Sequence, residues 1–355
     1  MHIPFCRHKC PYCNFYSVLY EDNAASSYIN VLSKQLSALH GKFDTVYIGG
    51  GTPTILKTGI VTGLLKNLKT KLSEHSESTI EANPESVNWE KLRIFAEGGV
   101  NRLSIGVQSF NDVKLKKLGR IHDSLGAKEA VRLAQKTGFQ NINIDLMFGV
   151  RGETLDDWKK DLEEAVTLPV RHVSCYCLDC VGMEAPEDDA AQMYEYAIDF
   201  LAGEGFAQYE ISNFAKKDFA CRHNLTYWNN DDYTGLGASA VSYSGGSREE
   251  NAADIADYIK KAGSGASVAA SGEKLDKVAR AKETAAIKIR MMEGIDFEWF
   301  KKKTGYDLPD IEKDAIQGLF EKGLIEYLET KNGRSGIALT RKGILLCDVV
   351  SSAFM

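Results

Sequence analysis

Three cysteines fall within one eight-residue stretch, Cys6-x-x-x-Cys10-x-x-Cys13. Thiolates are soft ligands, and on one short loop they can converge on a single inorganic centre, either zinc or an iron–sulfur cluster. A structural zinc site would need a fourth ligand, usually from a second Cys or His pair at a recognisable spacing. His8 lies too close to serve easily, and the remaining cysteines form no clear pair. Three thiolates on a four-iron cluster leave one iron open to a substrate or cofactor. Eight cysteines in a chain of this size read as metal or redox chemistry before disulfides.

These residues need a scaffold, and the first half of the chain alternates strand and helix patterns. Strands are predicted at His2–Phe5, Thr45–Ile48, Thr79–Ala82, Arg102–Val107, Asn141–Phe148 and His172–Leu178. Amphipathic stretches lie between them at Ala25–Leu39, Gly59–Leu72, Trp89–Glu97, Leu125–Thr137 and Leu155–Val166. Such alternation gives right-handed βαβ units and a parallel sheet. Most strands end in glycine or polar residues, among them Gly49-Gly50-Gly51, Asn83-Pro84-Glu85 and Gln108-Ser109. In a parallel barrel those ends gather at the face where chemistry is done. Six strands imply an α/β fold, an incomplete (β/α)6 TIM-like barrel over residues 1–180. Residues 181–272 are expected to hold a barrel-completing helix near Asp188–Gly203 and an aromatic loop region. Residues 273–355 read as a small winged-helix-like α+β module, with helices and two short strands around Gly333.

Cys6-x-x-x-Cys10-x-x-Cys13 after a first strand, with a glycine run ending a second, resembles the radical S-adenosylmethionine (radical SAM) superfamily. Further segments resemble the branch holding oxygen-independent coproporphyrinogen III dehydrogenase and the HemW haem chaperones. They are His2-Ile3-Pro4-Phe5, Gly49-Gly50-Gly51-Thr52-Pro53, Glu81-Ala82-Asn83-Pro84-Glu85, Ser104 to Phe110 and Asn143-Ile144-Asp145-Leu146. The resemblance implies a 4Fe-4S cluster on Cys6, Cys10 and Cys13, whose open iron binds the methionine part of S-adenosylmethionine. It implies cofactor contacts from Tyr12, Gly50, Gly51, Thr52, Glu81, Gln108, Arg120 and Asp145. Carboxylates suit ribose hydroxyls and the cationic amino group, and Arg120 suits a carboxylate. Taken singly, each would serve equally well as a structural salt bridge or cap. In the family, the reduced cluster cleaves the cofactor's carbon–sulfur bond, and the protein supplies orientation and excludes water.

Two features separate the branches. The dehydrogenase branch has a further cysteine two positions after the third ligand, where this chain has Phe15. The segment His223-Asn224-Leu225-Thr226-Tyr227-Trp228 matches the His-Asn-x-x-Tyr-Trp signature of the chaperone branch. A neutral imidazole can ligate haem iron, and Tyr227 and Trp228 can stack on or line a porphyrin. Arg222 could pair with a propionate, and Cys221 is a second candidate axial ligand. In the plainer reading, His223 caps a turn and the aromatics are core.

Several positions depart from the pattern. No tyrosine precedes His2-Ile3-Pro4-Phe5, where relatives place one on the cofactor; weaker binding or a late start is expected. The stretch between Leu178 and Glu187 is shorter than in relatives, which remodels part of the mouth. Val241 stands where relatives usually have histidine. Cys175, Cys177 and Cys180 read as buried small fillers, with a second metal site as the alternative.

Bulk properties narrow the rest. A net charge of −6 disfavours a general nucleic-acid binder. No apolar run reaches the roughly 20 residues that span a bilayer, and no signal peptide pattern opens the chain, so a cytoplasmic protein is expected. The leading expectation is a haem chaperone that delivers haem to an acceptor protein, a respiratory one being the example in view, with its cluster reduced by a flavodoxin-like donor. The alternative is a dehydrogenase-like radical enzyme acting on a tetrapyrrole. A third reading is a cluster protein whose altered mouth no longer holds the cofactor. Whether radical chemistry turns over is left open.

Overall fold

A computed structural model describes residues 1–330 and 333–355. Its centre is a sheet whose strands we number β1 (His2–Ile3), β2 (Phe43–Gly50), β3 (Leu72–Ala82), β4 (Arg102–Gln108), β5 (Asn141–Phe148), β6 (His172–Cys177), β7 (Ala207–Glu210) and β8 (Asn213–Ala215). The spatial order is β1-β2-β3-β4-β5-β6-β8-β7. The first six run parallel in chain order. The last two form a hairpin antiparallel to β6. The six parallel strands make an open barrel, as the alternating pattern predicts. The hairpin falls in the stretch read from sequence as loop.

Helices Asp22–Ala38, Thr58–Lys71, Trp89–Glu97, Ser124–Lys136, Leu155–Thr167 and Glu187–Gly203 cover the outer face. Their starts are locally specified: Asn88, Asp123 and Thr154 each accept a first-turn amide, the preferred N-cap chemistry. Outward strand residues such as Ile48, Ile80, Leu103, Ile105, Ile142, Ile144 and Val173 are buried in one core with Leu64, Leu68, Leu92, Val131 and Leu162 of these helices.

The inward positions, alternating with these, are polar. Tyr47, Glu81, Ser104, Asn143, Asp145, His172 and Ser174 join across strands. Tyr47 Oη donates to Glu81 (2.9 Å), Asn143 Nδ2 to Ser104 Oγ (2.7 Å) and Asp145 Oδ1 (2.8 Å), and Ser174 Oγ to Asn143 Oδ1 (3.2 Å). A polar lumen inside an apolar shell is the arrangement of a barrel built to hold a ligand.

Beyond the barrel, Val241–Ser244, Ser247–Asn251 and Ala269–Lys274 form a small antiparallel sheet. Helix Lys277–Lys288 leads into a C-terminal module with its own core around Ile295, Phe300, Leu308, Leu319, Ile337, Val350 and Phe354. Its sheet orders Ile295–Asp296, Gly333–Leu339 and Ile325–Thr330, with helices before and after, a winged-helix-like arrangement.

Candidate functional site

The cysteine loop is closed at its base. Phe5–Cys6 pairs in parallel with Val18–Leu19, so Cys10 and Cys13 lie on the excursion between. Cys13 donates its amide to the Cys10 carbonyl at 3.1 Å. All three thiols are free and half-buried. Two polar groups reach them from the barrel rim: Thr52 Oγ1 approaches Cys6 Sγ and an Arg120 guanidinium nitrogen approaches Cys10 Sγ, each at 3.7 Å. Asn83 joins these two, donating to Thr52 Oγ1 (2.9 Å) and accepting from Arg120 (2.6 Å). Among the described residues no three His, Cys, Asp or Glu side chains gather around one ion. A four-iron cluster places each thiolate on a different iron, so its ligands stand further apart than those of a zinc ion.

Gly50 ends β2 at φ +109°, a conformation that suits glycine. A Cβ there would come within 1.8 Å of the His2 ring, and one on Gly51 within 2.7 Å of the Phe5 carbonyl. The glycine run is thus packed against the strand that leads into the cysteine loop. The Gly50 amide donates to Glu81 at 2.8 Å. Burial raises the Glu81 carboxyl to about 7, with Asp145 adding like charge. Burial also raises Asp145. Gln108, at the end of β4, is a non-glycine residue at φ +66°, the kind of backbone strain that clusters at functional sites. Arg120 also donates to the Gly106 carbonyl at 2.8 Å. Tyr12 lies beside Arg120, its phenol pushed up by burial. The structure therefore brings Tyr12, Thr52 and Arg120 to the cysteine loop. Gly50, Glu81, Gln108 and Asp145 stand on the strands behind it.

The second patch lies deeper in the lumen. The short helix Arg222–Trp228 starts against β3, where the Glu77 carboxylate accepts from the amides of Arg222 and His223 (both 3.1 Å) and from the Cys221 thiol (3.4 Å). His223 Nδ1 is 2.8 Å from Thr45 Oγ1, and its Nε2 is 3.2 Å from the Tyr227 hydroxyl. Its ring stacks on Tyr47 at 5.4 Å. Burial lowers the His223 imidazole to about 4, so it is neutral near neutral pH. Arg102 is 1% exposed, and its Nε and one terminal nitrogen have no hydrogen-bond partner; Glu77 and Tyr47 lie near it.

A cavity of about 730 Å3 lies against the second patch and extends to the glycine run; neither the cysteines nor Glu81, Gln108, Arg120 or Asp145 line it. His2, Gly49 and Gly50 line one part, and Thr45, Tyr47, His223, Tyr227, Tyr233 and Tyr243 another. Val241 lines it as well. Trp228 is not brought to it: its ring packs against Arg290 at 5.4 Å. Arg222 donates to the His75 carbonyl at 2.5 Å, and Cys221 is buried, its thiol raised to about 11 by burial; neither lines the cavity. Cys175 is buried in the core and Cys177 is exposed, while the Cys180 thiol approaches the Pro11 carbonyl at 4.0 Å.

Sequence reasoning did not single out Glu77, Tyr47, Thr45, Asn83 or Tyr233. Only Asn83 carried a signal, as part of the Glu81–Glu85 segment.

Comparison with known proteins bears on this arrangement. Residues 1–165 match the model of the Radical SAM superfamily. A protein named Heme chaperone HemW from Bacillus subtilis (strain 168) is 35% identical over 376 aligned residues, covering 100% of this chain and 98% of its own. The chain belongs to the HemW family of radical SAM proteins. The relative of the same name from Escherichia coli (strain K12) is 38% identical over 257 residues, 68% of each chain. The solved coproporphyrinogen III oxidase (HemN) of Escherichia coli superposes with a TM-score of 0.86 over 99% of this chain and 88% of its own. At 21% identity that likeness concerns the fold. Membership of the radical SAM superfamily implies a 4Fe-4S cluster and S-adenosylmethionine. The residues fit both: three free thiols with hydrogen-bond donors aimed at two of them, and two half-buried carboxyls behind a strained strand end. Among the described residues no helix is long and apolar enough to cross a membrane.

Proposed function

We propose that this chain is a haem chaperone of the HemW type, holding a 4Fe-4S cluster on Cys6, Cys10 and Cys13. The single observation that carries the reading is the cavity on which His223 and Tyr227 open, which reaches Gly49 and Gly50 at the end of β2. Its volume of about 730 Å3 falls in the range of ligand pockets, roughly 300–1,000 Å3.

Each residue has a part that its surroundings support. Thr52 and Arg120 stabilise thiolate sulfur by hydrogen bonding, which also tunes a cluster's potential. Glu81 and Asp145 receive the cationic and hydroxyl groups of S-adenosylmethionine, whose charge offsets the cost of partly desolvating two carboxylates. Gln108 and Tyr12 flank the same mouth. Bound there, the cofactor would supply reductive cleavage chemistry at the open iron. His223, kept neutral by its surroundings, would supply a ring nitrogen to hold haem. Tyr47, Tyr227 and Tyr233 offer aromatic faces to the macrocycle. Trp228 acts from behind, packing the helix against Arg290. The acceptor is a haem-using protein and the reductant a flavodoxin-like donor; the acidic chain acts in the cytoplasm, away from nucleic acid.

Anaerobic reconstitution with iron and sulfide, followed by haem titration with and without S-adenosylmethionine, tests this reading. A Soret band saturating near one haem per chain beside an intact cluster spectrum is expected. A cluster with no stoichiometric haem, together with loss of CO2 from coproporphyrinogen, would transfer the assignment to the dehydrogenase chemistry.

A further inference from the structure

Strand β4 ends in a turn that a glutamine does not adopt unaided. Gln108 stands at φ +66°, and the Ser109 amide donates across it to the Val107 carbonyl at 2.9 Å. A three-residue turn closed by such a bond, with positive φ at its centre, is rare and strained. Strain of this kind persists only where the surroundings over-determine it, and here they do.

Three side chains grip the segment 106–110. Arg120 donates to the Gly106 carbonyl at 2.8 Å, and His122 Nε2 lies 3.0 Å from the Val107 carbonyl. Asp161, on helix Leu155–Thr167 and 2% exposed, accepts from Ser109 Oγ and from the Phe110 amide, both at 2.6 Å. Lys114 holds Asp161 in turn, donating to it at 3.0 Å and also to Glu153. Glu153 accepts from the Val150 amide at 3.0 Å. One buried ammonium between two carboxylates thus ties the loop after β4 to the loop after β5. A buried ion cluster is weak evidence for stability; what this one fixes is geometry.

That geometry includes the Gln108 amide. A Cβ on Gly106 would come within 3.0 Å of Gln108 Nε2 and 2.9 Å of Asn83 Oδ1. The amide therefore lies over Gly106, beside the Asn83–Arg120 pair that borders the cysteine loop. Relaxing φ at position 108 to the usual negative range would turn the side chain about the backbone and carry the amide off that position.

We propose that Asp161 is a positioning residue for the cofactor site: through Ser109 and Phe110 it locks the strained turn that aims the Gln108 amide at S-adenosylmethionine. The proposal rests on the cofactor reading given above. Asp161 acts at one remove, since its bonds go to Ser109, Phe110 and Lys114, none of them a candidate for contact with the cofactor. An amide fixed in advance needs no ordering when the ligand binds, and a misplacement of about 1 Å removes most of what such a group contributes.

The test is a double-mutant cycle in the anaerobically reconstituted full chain. Its readouts are the dissociation constant of S-adenosylmethionine from calorimetry and hydrogen exchange at residues 109–111 in the chain without that ligand. Gln108→Ala, Asp161→Asn and Ser109→Ala should each raise the dissociation constant by about 10-fold or more. Asp161→Asn sets an NH2 group where Lys114 and Ser109 Oγ both donate. Ser109→Ala leaves the pairs of Lys114 with Asp161 and Glu153 in place, so it carries the test if Asp161→Asn does not fold. Exchange should accelerate in both variants, while iron, sulfide and haem titration stay as in the wild type. In the Gln108→Ala background no amide is left to aim, so adding Asp161→Asn or Ser109→Ala should change the dissociation constant by less than about twofold. Losses that multiply in the double variants, or Asp161 and Ser109 variants that bind as the wild type does, overturn the positioning role and leave these residues as packing alone. A wild-type chain with a full four-iron cluster that binds no S-adenosylmethionine overturns the cofactor reading and this proposal together.

Discussion

Replacing Glu77 with alanine should loosen the segment that carries His223. The carboxylate is 6% exposed and accepts from two amides at 3.1 Å and a thiol at 3.4 Å. Hydrogen bonds to a charged group contribute roughly 1.5–3 kcal/mol each. Three such bonds end on Glu77, and removing it would leave the Cys221 thiol and the Arg222 and His223 amides without their acceptor, beside the buried Arg102 that makes no ion pair to it. These terms overlap because the groups share partners, so about 4 kcal/mol is expected for the alanine variant. Glu77→Gln keeps an acceptor oxygen and should lose about half of that. If the loss appears as local opening, amide hydrogen exchange at residues 221–228 should accelerate by roughly 1,000-fold, at about 1.4 kcal/mol per factor of ten. Haem affinity should fall alongside, since His223 loses its fixed position. Exchange protection unchanged in the alanine variant, with stability within about 1 kcal/mol of wild type, would refute the reasoning.

The other expectations can be checked with single variants. Glu81 has its carboxyl raised from 4.5 to about 7 by burial, so the folded state holds the proton more tightly and loses stability as pH rises between those values. Glu81→Gln should remove that dependence, a change on the order of 3 kcal/mol between pH 4 and pH 8 in urea melts of the apoprotein, and should weaken S-adenosylmethionine binding. His223 is lowered from 6.5 to about 4, so its contribution is intact above 6.5 and is lost as pH falls toward 4. Haem affinity should accordingly be flat from pH 8 to pH 6, whereas a midpoint near 6.5 would contradict a neutral imidazole; His223→Ala should weaken haem binding with cluster iron unchanged. Cys10→Ala should abolish the four-iron cluster, as measured by iron and sulfide content, and full retention would refute the ligand assignment.

The six parallel strands and the helices between them were legible because each apolar run alternates with turn residues or amphipathic helix. The start of β3 was not. After Leu72, the strand Leu72–Ala82 continues as Ser73-Glu74-His75-Ser76-Glu77-Ser78, a polar run that reads as loop because Glu77 faces the lumen and meets donors on a distant segment. The strands Val241–Ser244 and Ser247–Asn251 were hidden for a similar reason: their residues are largely polar. Yet Gly245 and Gly246, both at positive φ, form the two-residue turn of a hairpin, a signal present in the sequence. The cysteine loop and glycine run were legible as spacing, and the positions behind them through family resemblance. Trp228 shows the limit: its place in the signature does not reveal that Arg290, in another part of the chain, takes up its ring. The C-terminal module buttresses the same helix elsewhere, with Lys288 donating to Asn229 at 2.8 Å and Asn230 donating to Thr284 at 2.9 Å.

Tyr47 lines the cavity beside His223 and also reaches Glu81 behind it. Its hydroxyl donates to Glu81 at 2.9 Å, and its ring stacks on His223 at 5.4 Å. A ligand that reorients Glu81 would therefore act on the surface against which His223 rests, and haem held by His223 as proposed would act back on Glu81. Binding linkage is reciprocal, so S-adenosylmethionine should change haem affinity by the same factor as haem changes S-adenosylmethionine affinity. Tyr47→Phe keeps the stacked ring and removes only the hydroxyl. In the wild type each ligand's dissociation constant should shift on saturation with the other, by roughly 5-fold or more where coupling exceeds about 1 kcal/mol. In Tyr47→Phe both shifts should shrink together while haem still binds. A shift that persists unchanged in the phenylalanine variant would mean that the two sites communicate by another route, and a wild type with no shift would mean that they act independently.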